Sequence, residues 1–215
     1  MSQRIKRIKT NRKLHRYRVH LRNSLTFLLI FISSLMLLQC HGKDNQMSDS
    51  ERFAQEYPLV GNDNIFVYKN AGETADILAR GRGIVFIGFK ECSWCQLYAV
   101  FIHDVALEMG IDKIYYCDIR EDRESNSESY QRIAGILAGR LQYDDEGQPR
   151  LYVPDVSIVS RGRIIARDFE TSKETLGYNT PQEYWNEERV DALKERLRAG
   201  IGILKQIIGY SCNAC

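Results

Sequence analysis

Cys92-Ser93-Trp94-Cys95 is the stretch of this chain whose residue types and spacing carry the most chemistry. Two cysteines three positions apart across the start of a helix can close into a disulfide. The first of them sits where unpaired helical N–H groups and the helix dipole favour an anion. A free thiol with a pKa near 8.5 is only a few per cent ionised at neutral pH, whereas one brought to about 7 is half ionised. The thiolate is the species that attacks a disulfide sulfur, so position becomes reactivity. The expectation is that Cys92 is the nucleophile. Cys95, one helical turn in and more buried, resolves the resulting mixed disulfide. Trp94 between them is read as an exposed ring that contacts substrate, with a packing role as the alternative. His103 falls inside the helix that follows and is read as an ordinary helical histidine. Neither a Gly-rich phosphate loop, nor a histidine cluster, nor a Ser/His/Asp set is present in the sequence, and no metal is expected.

A second pair, Cys212 and Cys215, ends the chain as Cys-Asn-Ala-Cys. It is open to several readings: a disulfide that rigidifies the tail, a second redox pair exchanging with Cys92 and Cys95, a metal site shared by both pairs, or no role. Cys117 lies in an apolar strand pattern and reads as a buried filler.

The elements that would hold Cys92 and Cys95 are legible on either side. Residues 83–89 are a near-continuous apolar run, which suits a central strand covered on both faces. After the cysteines, residues 95–109 carry Leu97, Val100, Phe101, Val105, Leu107 and Met109 at broadly helical spacing, with Gly110 as a stop. Upstream, residues 64–68 form a short strand and 71–80 a helix ended by Gly81. Downstream, residues 113–119 are a strand rich in β-formers. Ser125 and Glu128 make a capping box that opens a helix with Tyr130, Ile133, Leu137 and Leu141 on one face. Residues 121–124 and 143–150 are polar and read as loops. Residues 156–159 and 164–169 pair as a hairpin across the turn 160–163. Thr180-Pro181-Gln182-Glu183 then opens a long helix, with Gly200, Gly202 and Gly209 placed to bend or end it. Strands alternating with helices, then a hairpin and a closing helix, predict an α/β domain with a mixed central sheet covered by helices on both faces.

Strand, Cys-x-x-Cys, helix, strand, helix, then Val153-Pro154 before a hairpin resembles the thioredoxin superfamily over roughly residues 60–210. The resemblance implies a thioredoxin-like fold with a cis peptide bond at Pro154 lying against the Cys92/Cys95 pair. It also implies that the backbone there pairs with an extended substrate, so Trp94, Val153 and Pro154 would line the substrate groove. GFKECSWCQ, KIYYCDI and LYVPDVSIV make the chain similar to bacterial membrane-tethered thioredoxin-like lipoproteins and to bacteriocin-transport accessory proteins. Two departures stand out. Phe86 occupies the position, six residues before the first cysteine, where many members carry a buried Asp that accepts the resolving thiol's proton. Glu91 or water would then take that role, or the resolving step is slow. The Ser-Trp dipeptide matches neither common pattern, and such dipeptides tune potentials over roughly −270 to −120 mV, which leaves the direction of electron flow open.

Charge is segregated along the chain. Residues 1–40 hold nine Lys/Arg and no Asp or Glu, and the remaining 175 hold 21 Lys/Arg against 28 Asp/Glu, so +9 precedes −7. An acidic domain behind a basic leader argues against a nucleic-acid partner. The apolar run 24–38 after a positive segment is the pattern of a secretory signal and is short for a membrane span. Leu37-Leu38-Gln39-Cys40 resembles a bacterial lipobox, with Cys40 as the lipid-attachment residue and Gln39 as a departure. An uncleaved anchor and plain secretion are the alternatives. Residues 1–40 are thus read as signal or anchor, 41–56 as a polar tether, and 57–215 as the domain with its Cys-Asn-Ala-Cys tail. Together these readings imply a thiol–disulfide oxidoreductase on the extracytoplasmic face of a cell membrane. It would act on thiols and disulfides of exported proteins, be recycled by a membrane redox partner, and need no cofactor. The alternative from another class is a non-catalytic escort of an exported peptide.

Overall fold

The structure, a computed structural model, describes residues 47–170 and 177–212, of which the side chains of the last three are outside the description. The leader with Cys40, and Cys215 in the tail, therefore lie outside the described residues. Helix α1 (Asp49–Glu56) comes first. Its capping box is reciprocal: Ser48 accepts the N–H of Glu51, and the Glu51 carboxylate accepts the N–H of Ser48 at 2.9 Å. Phe53 and Tyr57, four residues apart and so on one face, are fully buried, and Phe53 stacks on Phe66 with centroids 3.8 Å apart. Burying each ring contributes about 1.5–3 kcal/mol. The tether reading of residues 41–56 is thereby corrected for its second half: residues 49–56 are a helix of the folded unit.

The sheet has the order β1-β3-β2-β6-β7. Strands β1 (Phe66–Tyr68), β2 (Arg82–Gly88) and β3 (Ile114–Asp118) are mutually parallel, and β6 (Asp155–Ser160) and β7 (Arg163–Asp168) complete it as an antiparallel hairpin. The α/β class and the mixed central sheet expected from the sequence are present. Helix α2 (Ala71–Arg80) links β1 to β2, and α3 (Ser93–Glu108) links β2 to β3. The first step crosses the sheet one way and the second returns, so right-handed crossovers put α2 and α3 on opposite faces. The side chains agree. Phe86 of β2 stacks parallel to Tyr98 of α3, whereas Cys117 of β3, which pairs with Ile87 of β2, lies beside Thr74 of α2. From Ile84 to Ile87 every residue of β2 is fully buried, as a strand covered on both faces requires.

Four boundaries differ from the sequence reading. Residues 120–124 form a short helix α4 (Arg120–Glu124) rather than a solvating loop. Ser125 closes that turn, so Ser127 caps α5 (Glu128–Ile136) by accepting the N–H of Tyr130 at 3.1 Å. Within 143–150 a small ladder pairs β4 (Gln142–Tyr143) with β5 (Pro149–Arg150). The Thr180 cap opens only one turn, α6 (Pro181–Tyr184). Trp185 then buries against Phe101, and Asn186 accepts the N–H of Arg189 at 3.0 Å to start α7 (Glu187–Cys212). Gly200, Gly202 and Gly209 do not end α7, which runs through all three. At Gly200 a Cβ would lie 2.6 Å from Ile158 and 2.8 Å from Ala166, so glycine there lets α7 pack directly on β6 and β7.

Candidate functional site

Cys92 is the N-cap of α3, and the backbone N–H of Cys95 donates to its Sγ at 3.2 Å. Both cysteines are free thiols, Cys92 half-buried and Cys95 fully buried. The two environments push the thiols apart. A hydrogen bond from the Cys95 thiol is the main influence lowering Cys92, joined by the backbone N–H groups of Cys95 and Trp94 and by the charge of Arg123, while burial opposes them. Burial is the main influence raising Cys95 well above the ordinary thiol range, followed by its hydrogen bond to Cys92. One sulfur is placed to ionise first and the other to hold its proton, which is how a nucleophile and a resolving thiol divide the work.

The Val153–Pro154 peptide bond is cis. Ile87 pairs with Asp155, so Val153 and Pro154 sit at the end of the sheet where β2 leads into Cys92. The residue after Pro154 fixes that end. Asp155 is fully buried and accepts from Arg167 Nε at 2.9 Å and from Arg167 Nη2, while Ser157 donates to its other oxygen at 3.3 Å. Trp94 is half-buried rather than freely exposed. Its ring meets the edge of Tyr184 at 5.7 Å, and Tyr184 in turn contacts Trp185 at 4.9 Å and Tyr178 at 5.6 Å. Helix α6 therefore brings an aromatic wall to the dipeptide between the cysteines, which no local pattern in the sequence signalled.

Glu91 is engaged by a different partner. It is exposed, bridged to Arg120 at 3.2 Å, and its own backbone N–H and that arginine hold it below the usual carboxylate range. Phe86 is buried against Tyr57, Tyr98 and Tyr116. The polar group nearest in kind is the Tyr57 hydroxyl, which shares a 3.0 Å hydrogen bond with Tyr116. A Cβ at Gly88 would be 3.2 Å from Cys95 Sγ and 3.4 Å from that hydroxyl, so a glycine keeps the space between them open. Burial raises Tyr57 far above the ordinary phenol range, so it takes part as a neutral hydroxyl.

Arg123, hidden in sequence inside an acidic run, turns inward. Its guanidinium lies 5.3 Å over the Phe89 ring, and Nη1 reaches the Leu151 carbonyl at 3.5 Å. His103 is buried with its Nε2 unpartnered, and burial lowers it, consistent with a packing histidine. Cys117 is fully buried and pushed up to about 12 by burial. Cys212 ends α7 with its side chain outside the described residues, so the Cys212/Cys215 pair is not placed. Among the described residues no three His, Cys, Asp or Glu side chains gather as a metal site would need, and no helix is long and apolar enough to cross a membrane. No family model, curated protein or solved structure matches the chain.

Proposed function

We propose that this chain is a membrane-tethered, thioredoxin-fold thiol–disulfide oxidoreductase that works on exported proteins from the extracytoplasmic face. The observation that carries the reading is the unequal pair: Cys92 capping α3 with a lowered thiol, and Cys95 buried behind it with a raised one. The sheet order, the helices on both faces and the cis bond before β6 support the thioredoxin-like assignment. In the reducing direction the Cys92 thiolate attacks one sulfur of a substrate disulfide. The Cys92–substrate S–S bond forms, the substrate S–S bond breaks, and the departing thiolate takes a proton from water. Cys95 then attacks Cys92 Sγ, closing the Cys92–Cys95 disulfide, and its proton passes through water to the second substrate sulfur, which leaves as a thiol. Two electrons pass from the protein dithiol to the substrate, and the reverse sequence oxidises a substrate dithiol. The pair itself carries both electrons, so no cofactor enters, and a membrane partner of opposite redox state resets it. Val153 and Pro154 would seat the extended substrate, and Trp94 would border it. The basic, apolar leader ending at Cys40 supplies the tether.

The test separates attack from resolution. Cys95→Ser in the full-length chain is expected to trap mixed disulfides with exported proteins, released by reductant, and Cys92→Ser to trap none. Equal trapping by both variants, or by neither, would remove the reading. The second reading, a non-catalytic escort, draws on one observation: no carboxylate hydrogen-bonds the Cys95 thiol among the described residues. It predicts that Cys92→Ser leaves function intact.

A further inference from the structure

Arg123 poses a problem of charge. Its Nε is buried and makes no hydrogen bond, and no carboxylate among the described residues forms an ion pair with it. The acids around it are occupied elsewhere. Glu124 bridges Arg120 at 3.2 Å, Asp122 accepts from the Ser127 hydroxyl at 2.5 Å, and Glu91 is held by Arg120. A half-buried guanidinium with an unpartnered buried Nε and no carboxylate beside it is a place where an arriving anion is stabilised.

We propose that Arg123 is the counter-charge of the Cys92 thiolate, a positioning residue held over Phe89 and against the Leu151 carbonyl, beside the segment that carries the attacking sulfur. The inference rests on the reading of Cys92 as nucleophile and adds a residue to it. Phe89 lies three residues before Cys92, and Leu151 lies three before Pro154, so the side chain spans the two segments that a substrate would meet. The planar guanidinium can lie over the ring while an N–H donates to the carbonyl. The other titratable or charged groups in this region are Lys90 and Glu91 on the loop of Cys92, Arg120 of α4 bridged to Glu91, Arg150 of β5 beside Arg123, the Cys95 thiol and the Tyr57 hydroxyl. Arg150 adds positive charge beside Arg123, and burial together with that neighbour holds Arg123 below its usual range. The Arg123 charge in turn favours ionisation of Cys92. When Cys92 joins a substrate sulfur its negative charge disappears, and the charge released on the departing sulfur appears close to the same guanidinium.

The experiment follows alkylation of reduced full-length protein by iodoacetamide against pH, in detergent, with each cysteine read separately by peptide mass. Arg123→Gln is expected to raise the Cys92 midpoint by roughly one unit, and Arg123→Lys to recover most of that rise. An unchanged midpoint in Arg123→Gln, or equal displacement in both variants, would overturn the proposal. The wild-type chain gives a check that needs no substitution. The Arg123 Nε–H resonance should titrate with the Cys92 midpoint and stop doing so in Cys92→Ser, and a silent resonance would likewise overturn it. If Cys92 of the wild type reacts no faster than Cys117 at any pH, the oxidoreductase reading fails. If Cys92 is fast but indifferent to Arg123, only the counter-charge falls.

Discussion

At the scale of single residues, three thiols of one chain are set to three tasks by their surroundings. Cys92 at a helix N-terminus is lowered, Cys95 one turn in is raised, and Cys117 in mid-sheet is pushed up to about 12. The sign of each shift fixes its effect on stability. A thiol lowered in the folded state adds stability above the ordinary thiol range, and that contribution is lost as pH falls through the folded midpoint. Cys95 and Cys117 run the other way: their contribution is complete below the ordinary range and is lost as pH climbs toward their raised midpoints. Cys117→Ala should therefore lose less stability than the parent between pH 8 and pH 10, by on the order of 1 kcal/mol. Urea unfolding of the reduced proteins at the two pH values checks this, and parallel pH dependences would contradict it. The Cys-x-x-Cys spacing made the pair legible in the sequence, since capping depends only on local geometry. Arg123 was not legible, because a lone cation among Glu121, Asp122 and Glu124 reads as solvated until α4 turns it toward Phe89.

At the scale of elements, the site depends on two ends of strands meeting. Strand β2 delivers Cys92 and strand β6 begins just after Pro154, and the Asp155–Arg167 pair anchors that junction with neither side chain more than 6% exposed. Arg167 also reaches the Arg140 carbonyl and lies 4.4 Å over Phe169, so it ties β7 to the loop after α5. Breaking a buried pair strands its partner charge, which costs about 3–5 kcal/mol. Asp155→Asn should lower unfolding stability by about that amount, whereas exchanging the exposed Glu124 of the Arg120 bridge should change it by less than about 1 kcal/mol. Equal losses would show that the buried pair does not hold the junction. The strands and the two crossover helices were readable because their apolar periods are strong. Helix α1 was missed because its eight residues are polar apart from Phe53 and Ala54. Its signals were the Ser48–Glu51 capping box and the Phe53/Tyr57 spacing, and only burial against Phe66 and Tyr116 gives them weight. The single turn of α6 was also unreadable in advance: a sound cap at Thr180 predicts that a helix begins, and tertiary packing of Trp185 decides that it stops.

At the scale of the whole molecule, the −7 of the later residues and the +9 of the first 40 make one sequence with two physical characters. The folded unit from Met47 onward carries the unequal thiols, the cis bond and the inward arginine, while the tethering reading rests on the leader's charge and hydropathy alone. Direction of electron flow is a property of the balance between the dithiol and disulfide states. Each contributor that favours the Cys92 thiolate stabilises the reduced form and moves the pair toward the oxidising end. Whether Cys92 and Cys95 exchange electrons is read from the redox equilibrium of the pair. Full-length protein would be equilibrated in glutathione buffers and followed by Trp94 fluorescence and mass. An exchanging pair gives one reversible two-electron couple, lying between roughly −270 and −120 mV and abolished by Cys92→Ser. A pair that stays reduced, or stays oxidised, across the whole buffer range would contradict exchange.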